Sequence, residues 1–189
     1  MTSSVWTRRQ MLGGALCAAL LPITGVLAAS PVAAEAADTR RLVLHSLNTN
    51  ESLDIVFQDR NGFVEDALKK PQHLLRDHRT GGEHAIDPEL YVLLSDLART
   101  AGLEPRYEVI SGYRSPATNA GLIARGHHVA KQSMHMQGRA MDVRLHGIEL
   151  AAFRDLALAA KRGGVGFYPR SNFVHVDTGR VRTWQDEVS

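Results

Sequence analysis

The chain has 189 residues, 44% hydrophobic and 22% charged, a balance that predicts an ordinary globular domain with a substantial core. Its formal net charge is +2, and two of the basic residues, Arg8 and Arg9, lie in an N-terminal segment without acidic residues. The rest of the chain is about neutral, which argues against binding to nucleic acid. The only cysteine, Cys17, lies in the same segment, so the rest of the chain has no disulfide and no thiol nucleophile.

Residues 1–29 have the features of a bacterial export signal. The sequence from Thr7 to Leu12 resembles the twin-arginine consensus, and a modestly apolar stretch with small residues follows it. That stretch is interrupted by glycines and by Pro22, so it is too short for a comfortable membrane span. We therefore predict a twin-arginine signal peptide, a periplasmic protein and no stable membrane span after processing.

An Ala/Pro-rich linker is predicted at residues 30–40, and one domain is predicted at residues 41–189. Within that domain Asp87-Pro88 marks the start of a helix that ends at Gly102, while Pro71 lies inside another helical pattern. At Pro71 either one helix kinks or a second helix begins. In chain order the pattern predicts strands at 42–47 and 53–57, helices at 64–78 and 87–102, a strand at 107–110, a helix at 115–125, a strand at 141–145, a helix at 149–161, and strands at 165–168 and 173–177.

This order of elements predicts an α+β domain in which helices pack against a small antiparallel sheet. Residues 48–50 and 169–172 have the composition of turns, so each is expected to join its two flanking strands in a hairpin. No internal repeat is visible in the sequence.

Two alternating stretches in the C-terminal half contain the strongest candidates for a functional site. Residues 140–145 and 172–177 both have the period of a half-buried strand, with apolar residues on one face. On each strand the other face is polar, and it carries Asp142 in the first stretch and His175 in the second. If the two strands pair and pack their apolar faces on the core, Asp142 and His175 can lie close together. His135, which precedes the first strand, can then join them.

Two imidazoles and one carboxylate, with a fourth position left for water, are typical of a catalytic zinc site. Calcium and magnesium prefer a larger number of oxygen ligands. We therefore predict a zinc hydrolase with one Zn²⁺ per chain, bound by His135, Asp142 and His175. The alternative at each position is an ordinary surface residue, and spacing alone does not decide between the two.

Asp177 should lie on the same strand face as His175, close to the predicted metal. It could be the general base that takes a proton from water, or a carboxylate that orients a histidine ligand. The third interpretation is a surface residue that begins a turn at Asp177-Thr178-Gly179.

Arg114 lies in Ser111-Gly112-Tyr113-Arg114-Ser115, between a predicted strand and a predicted helix. Its guanidinium could bind a substrate carboxylate or a developing oxyanion, and the alternative is a solvated surface arginine. His127 and His128 are adjacent in the chain, so they cannot both face one site, and we interpret them as loop residues.

These motifs together resemble a known group of enzymes. Residues 111–115, the pattern Ser133-x-His135-x-x-Gly138-x-Ala140-x-Asp142, and His175 are similar to the zinc peptidases grouped with D-Ala-D-Ala carboxypeptidases and the hedgehog signalling domain. The sequence from Gly163 to Gly179 more closely resembles the MepK-type murein endopeptidases, which are exported with a twin-arginine signal. The likeness extends from the signal to Trp184.

The resemblance implies a fold of the hedgehog/D-Ala-D-Ala-peptidase type, with His135, Asp142 and His175 as zinc ligands and Arg114 in the substrate cleft. It also implies that the partners of the enzyme are the stem peptides of peptidoglycan. We expect a monomer, since no long exposed apolar stripe stands out in the sequence. The implied bond is the cross-link between two meso-diaminopimelate residues.

One position departs from the wider group. Many of its members have a catalytic Glu or Asp three residues before the last histidine ligand, where this chain has Asn172. An asparagine cannot act as a base, and Asp177 is the replacement that we predict. Two alternatives stay open: a D-Ala-D-Ala carboxypeptidase or dipeptidase with the same site, and a zinc-containing module that binds muropeptides without cleaving them.

Overall fold

The structure is a computed structural model that describes residues 39–127 and 129–186. The expected signal peptide with Cys17, and residues 30–38 of the expected linker, lie outside the described residues. The strands are β1 (Arg40–Ser46), β2 (Ser52–Asp59), β3 (Gly62–Phe63), β4 (Arg106–Ser111), β5 (Ala140–Leu145), β6 (Gly164–Tyr168), β7 (Phe173–Asp177) and β8 (Arg182–Gln185), and the helices are α1 (Glu65–Leu74), α2 (Pro88–Thr100), α3 (Pro116–Ala124), a 3₁₀ helix (Met134–Gln137) and α4 (Leu150–Ala160).

The helix boundaries follow local capping chemistry. Asp87 caps α2 by accepting a hydrogen bond from the backbone N–H of Glu89 at 3.0 Å, and Gly102 follows the helix with a φ of +68°. Ser115 caps α3 in the same way. At Pro71 the structure has one helix and not two. α1 continues through Pro71 and ends at Leu74.

The sheet is mostly antiparallel, as predicted, but it is larger than predicted and includes two parallel pairs. The structure has one eight-stranded mixed sheet in the order β3-β2-β1-β4-β5-β7-β6-β8. Both predicted hairpins are confirmed, but β1 also pairs with β4 in parallel, and β6 pairs with β8 in parallel. Parallel pairs join strands that are distant in the chain, so local turn patterns gave no sign of them.

One face of this sheet is covered by helices. α1 packs on β2, α2 packs on β1, and α4 packs on β5, β6 and β7. Burial of each large aliphatic or aromatic side chain in this layer contributes about 1.5–3 kcal/mol. The strand residues in this core include Leu42, Leu44, Ile55, Phe57, Tyr107, Val109, Met141, Val143, Leu145, Val165, Val174 and Val176.

This layer arrangement confirms the α+β class and the alternation expected for β5 and β7. The core contains Met141, Val143, Val174 and Val176, so the side chains that alternate with them lie on the opposite face of the sheet. In the described part of the chain, no helix combines the length and apolar character needed to cross a bilayer. Likeness to the hedgehog fold stays a prediction from family resemblance.

Candidate metal centre

The uncovered face of the sheet brings the three predicted ligands together. In the antiparallel pair of β5 and β7, Asp142 lies directly opposite His175. His135 reaches them from the 3₁₀ helix, which is capped by the Ser133 hydroxyl and ends at Gly138 with a φ of +65°. One ligand atom from each of the three residues lies within 4.8 Å of the others, and all three residues are buried.

The partners of the two histidines determine which ring nitrogens carry protons. Nδ1 of His135 lies 2.7 Å from the backbone carbonyl oxygen of Gly112, and Nε2 of His175 lies 3.0 Å from Oδ2 of Asp177. Both partners are acceptors, so each of these nitrogens donates a proton. In neutral imidazoles, the form that binds a metal, the remaining nitrogens, Nε2 of His135 and Nδ1 of His175, present lone pairs.

These two lone pairs meet a carboxylate oxygen at short range. Nε2 of His135 lies 3.1 Å from Nδ1 of His175 and 3.2 Å from Oδ1 of Asp142, and Nδ1 of His175 lies 2.9 Å from that same oxygen. When both imidazoles are neutral, no proton lies between these three buried acceptors, and they repel one another. A metal cation satisfies all three, so the donor set fits a metal ion.

Asp177 is buried behind His175 rather than exposed at a surface turn. Its side chain is 0% exposed and accepts hydrogen bonds from His175 Nε2, from Arg182 and from the backbone N–H groups of Gly164 and Gly179. Burial alone would raise the pKa of Asp177, but these donors together hold it below its usual range. The carboxylate is therefore an anion on the side of His175 away from Asp142.

Arg114 lies beside the cluster, in the loop that follows β4. Its Nη2 atom is 3.9 Å from Oδ2 of Asp142, its side chain is 12% exposed, and its backbone N–H donates to the carbonyl of His135 at 3.2 Å. Burial lowers the pKa of Arg114, and the charge of Asp142 opposes that shift. The same loop therefore orients His135 through Gly112 and places a cation next to the ligands.

Asp77 joins this loop to a second arginine. Its buried carboxylate accepts hydrogen bonds from the backbone N–H groups of Ser115 and Arg79, both at 2.9 Å. Arg79 and Arg114 both line the same cleft. Sequence reasoning missed Asp77 and Arg79, because nothing local in the sequence connects residue 77 with residue 115.

The cleft that contains the cluster has a volume of about 680 Å³, and aromatic side chains also line it. Tyr168 stacks on Phe173 with ring centroids 4.5 Å apart, and Nε1 of Trp184 donates to the Tyr168 hydroxyl at 2.8 Å. The Arg182 guanidinium lies over the Trp184 ring. Sequence reasoning missed Tyr168, Arg182 and Trp184, although alternation of Arg182 and Trp184 was a weak sign of the short strand β8.

Asn172 does not line this cleft. It has a φ of +55° in the turn between β6 and β7, and it borders a separate depression of about 230 Å³ with Glu108 and Arg144. A side chain at this position is therefore directed to a different surface of the described structure. His127 does line the cleft but lies outside the ligand cluster.

Comparisons with known proteins agree on one family. The family model described as peptidoglycan L,D-endopeptidase MepK matches residues 34–184. The proteins of that name from Escherichia coli (strain K12) and Shigella flexneri are 43% identical to this chain over 180 residues, which covers 94% of this chain and 96% of each relative. A probable peptidoglycan L,D-endopeptidase MepK from Haemophilus influenzae is 43% identical over 147 residues, covering 77% of this chain and 79% of the relative. No solved structure matches significantly.

Proposed function

The chain belongs to the peptidoglycan L,D-endopeptidase MepK family, and we propose that it cleaves meso-diaminopimelate–meso-diaminopimelate cross-links with one bound Zn²⁺. Family membership makes it a peptidase that acts on peptidoglycan. The identity of the metal and the identity of the cleaved bond are what we propose beyond family membership.

The observation that supports the proposal is the convergence of three buried acceptors in an open cleft. His135, Asp142 and His175 offer two nitrogens and one oxygen, a set that suits zinc better than calcium or magnesium. When bound, zinc supplies a Lewis acid for a peptide carbonyl and lowers the pKa of water to about 7. These three side chains would hold the ion, and their own hydrogen bonds would fix their orientation.

The two predicted catalytic residues take different roles in this proposal. Asp177 keeps the proton of His175 on Nε2 and so keeps Nδ1 directed at the metal position. The Asp177 carboxylate already accepts hydrogen bonds from four residues, which favours this role over that of a general base. Arg114 binds negative charge in the substrate, either a stem-peptide carboxylate or the oxyanion that develops on the scissile carbonyl.

Substrate and location follow from the same assignment. The enzyme acts as a monomer on stem peptides in the periplasm, after export by the twin-arginine signal at residues 1–29. Replacing Arg8 and Arg9 together by lysine tests the route, because the charge is retained while the arginine pair is lost. Export that continues unchanged in a strain lacking the twin-arginine translocase would contradict this part of the proposal.

The test of activity uses purified sacculi that contain both kinds of cross-link. The mature protein is loaded with zinc and incubated with them, with and without a chelator, and His175→Ala serves as the inactive control. Mass spectrometry should show chelator-sensitive loss of diaminopimelate–diaminopimelate dimers. Release of terminal D-Ala alone would indicate the carboxypeptidase, and the absence of any product from folded, zinc-loaded protein would indicate a binding module.

A further inference from the structure

Tyr168 is held rigidly in the wall of the cleft that contains the ligand cluster. It is the last residue of β6, lies opposite Phe173 in the β6–β7 pair, and stacks on that ring at an interplanar angle of 21°. On its other side the indole nitrogen of Trp184 donates to the Tyr168 hydroxyl at 2.8 Å. The hydroxyl therefore has a defined position without any ligand present.

The bond from Trp184 also determines what the Tyr168 hydroxyl can do. An indole N–H can only donate, so the Tyr168 oxygen is the acceptor in this bond, and its own proton remains available. Within residues 39–127 and 129–186, no acceptor is paired with that proton. Burial raises the pKa of Tyr168, so the hydroxyl keeps its proton at neutral pH. The cleft thus contains a fixed, neutral and unused hydrogen-bond donor.

Trp184 is positioned by the residues behind the metal cluster. Its ring lies 5.0 Å from the ring of His175, and the Arg182 guanidinium, which pairs with Asp177, lies over the Trp184 ring. Gly166 makes room for this arrangement, because a Cβ atom there would come within 2.6 Å of the Trp184 ring. The contacts from His175 through Asp177, Arg182 and Trp184 to Tyr168 are therefore continuous.

We propose that Tyr168 is a further catalytic residue, which donates a hydrogen bond to the oxygen of the scissile carbonyl, and that Trp184 is the positioning residue that holds it. This inference rests on the proposed function. When water adds to the carbonyl carbon and gives one proton up to solvent, the π electrons of the C=O bond move to the carbonyl oxygen, and the added charge strengthens a hydrogen bond from Tyr168. The proton stays on Tyr168 throughout, so the residue binds the transition state more strongly than the substrate.

The test compares Tyr168→Phe with Tyr91→Phe in the zinc-loaded protein. Tyr91 is a matched control because its hydroxyl is buried among core residues away from the cleft and has no hydrogen-bond partner. For Tyr168→Phe we expect one zinc per chain, an unchanged KM, and a kcat on a cross-linked muropeptide lowered by about 10²–10³-fold. Tyr91→Phe should match the wild type in all three quantities.

A binding measurement separates a catalytic role from a structural one. A phosphinate analogue, in which the scissile amide is replaced by a tetrahedral anion, should bind Tyr168→Phe more weakly by a factor similar to the loss in kcat. The reaction products should bind both proteins equally. Trp184→Phe removes the positioning N–H while keeping an aromatic ring, so we expect a smaller loss of about tenfold in kcat with unchanged zinc content.

The outcomes distinguish this inference from the function on which it rests. If zinc-loaded wild type cleaves no cross-link, the proposed function fails and the role of Tyr168 fails with it. If the wild type is active and Tyr168→Phe is equally active, only the role of Tyr168 is overturned. Equal weakening of phosphinate and product binding would also overturn it, since the hydroxyl would then bind all ligands alike.

Discussion

Asp177 lies two residues after His175 on one face of β7, and its Oδ2 atom accepts the Nε2 proton of His175 at 3.0 Å. This bond leaves the Nδ1 lone pair of His175 directed at Asp142 and His135. Arg182 in turn neutralises Asp177 through two contacts, at 2.6 and 3.1 Å. The orientation of one proposed ligand therefore depends on residues that lie outside the proposed ligand set.

Replacing Asp177 by Asn should weaken zinc binding without removing the chemistry. The acceptor charge behind His175 is lost, and we expect zinc affinity to fall by about 10–100-fold. At saturating zinc, kcat should return close to the wild-type value. Zinc affinity is measured by competition with a chromogenic chelator, and kcat is measured across a zinc titration.

The control for that experiment is Asp155→Asn, a carboxylate with 64% exposure that pairs with Arg154 on the surface of α4. It should change neither quantity. A large loss of kcat in Asp177→Asn that persists at saturating zinc would contradict the orienting role and restore the role of general base.

Removal of any of the three ligands should abolish stoichiometric zinc binding. His135→Ala, Asp142→Ala and His175→Ala each leave two ligands, too few for a tight site. Metal analysis of the purified proteins should give close to one zinc per chain for the wild type and close to none for the variants. Zinc should also raise the unfolding temperature of the wild type alone.

His127→Ala is the control for the ligand variants, because His127 lines the same cleft outside the cluster. Its zinc content should equal that of the wild type. A variant that lacks one ligand, contains no zinc and still cleaves cross-links would eliminate the zinc mechanism.

The grouping of the three proposed ligands could be predicted from the sequence because two of them lie in alternating strands and His135 shortly precedes one of these strands. Alternation of apolar residues on β5 and β7 fixes which face Asp142 and His175 occupy, and the pairing of these strands brings them together. Asp77 and Ser115, in contrast, meet through a loop contact that no periodic pattern reports. Tertiary contacts of this kind appear only in the folded chain.

The size of the sheet was missed for a related reason. β8 has four residues and pairs in parallel with β6, so neither a long alternating run nor a hairpin turn marks it. Its position nevertheless places Arg182 behind Asp177 and Trp184 beside Tyr168. Contributions of short edge strands to a site are therefore the hardest to predict from local patterns.

Arg114 should matter through its charge and its planar shape. Arg114→Ala is expected to lower kcat/KM by about 10²-fold, which corresponds to about 2.7 kcal/mol of lost transition-state stabilisation. Arg114→Lys keeps the charge but loses the bidentate fork, so its loss should be intermediate. Activity is measured on a cross-linked muropeptide with zinc content checked in parallel.

Arg125→Ala provides the control for Arg114. Arg125 is an exposed residue at the end of α3 and does not line the cleft of the described structure. Its kcat/KM should stay at the wild-type value. If Arg114→Ala and Arg125→Ala behave alike, Arg114 does not bind substrate charge.

Gly138 should tolerate no side chain, because it combines a positive φ with close backbone packing. Its φ is +65°, and a Cβ atom would lie 2.0 Å from the carbonyl oxygen of Ala85. Gly81 has a similar φ of +71° with open space around it. Gly81→Ala should cost about 1–2 kcal/mol of unfolding free energy, the usual cost of the left-handed conformation.

Gly138→Ala should cost that amount plus the cost of displacing the backbone carbonyl of Ala85, so we expect a loss of unfolding free energy larger by at least about 2 kcal/mol. Urea unfolding of both variants in the presence of a chelator measures the difference without a contribution from zinc. Equal destabilisation of the two variants would show that conformation alone, and not the contact with Ala85, requires glycine here.

Asp77 should make stability depend on pH in a defined direction. Burial opposes ionisation of this carboxyl, but the hydroxyls of Ser115 and Thr118 and the backbone N–H groups of Ser115 and Arg79 hold its pKa below the usual range. The folded pKa is thus lower than the unfolded pKa of about 4. Its contribution to stability is fully present above pH 4 and is lost as the pH falls through the folded pKa.

Asp77→Asn removes this titration while keeping the size of the side chain. The variant should be less stable than the wild type by about 2 kcal/mol at pH 7, since several hydrogen bonds to a charged group are lost. The difference should stay constant down to about pH 5 and shrink below pH 4, where the wild-type carboxyl begins to lose its advantage. Urea unfolding in the presence of a chelator at pH 7, 5 and 3.5 measures this difference in unfolding free energy. The control is Asp66→Asn, a change at an exposed residue on α1. A difference between wild type and Asp77→Asn that is the same at all three pH values would contradict the assigned role of Asp77.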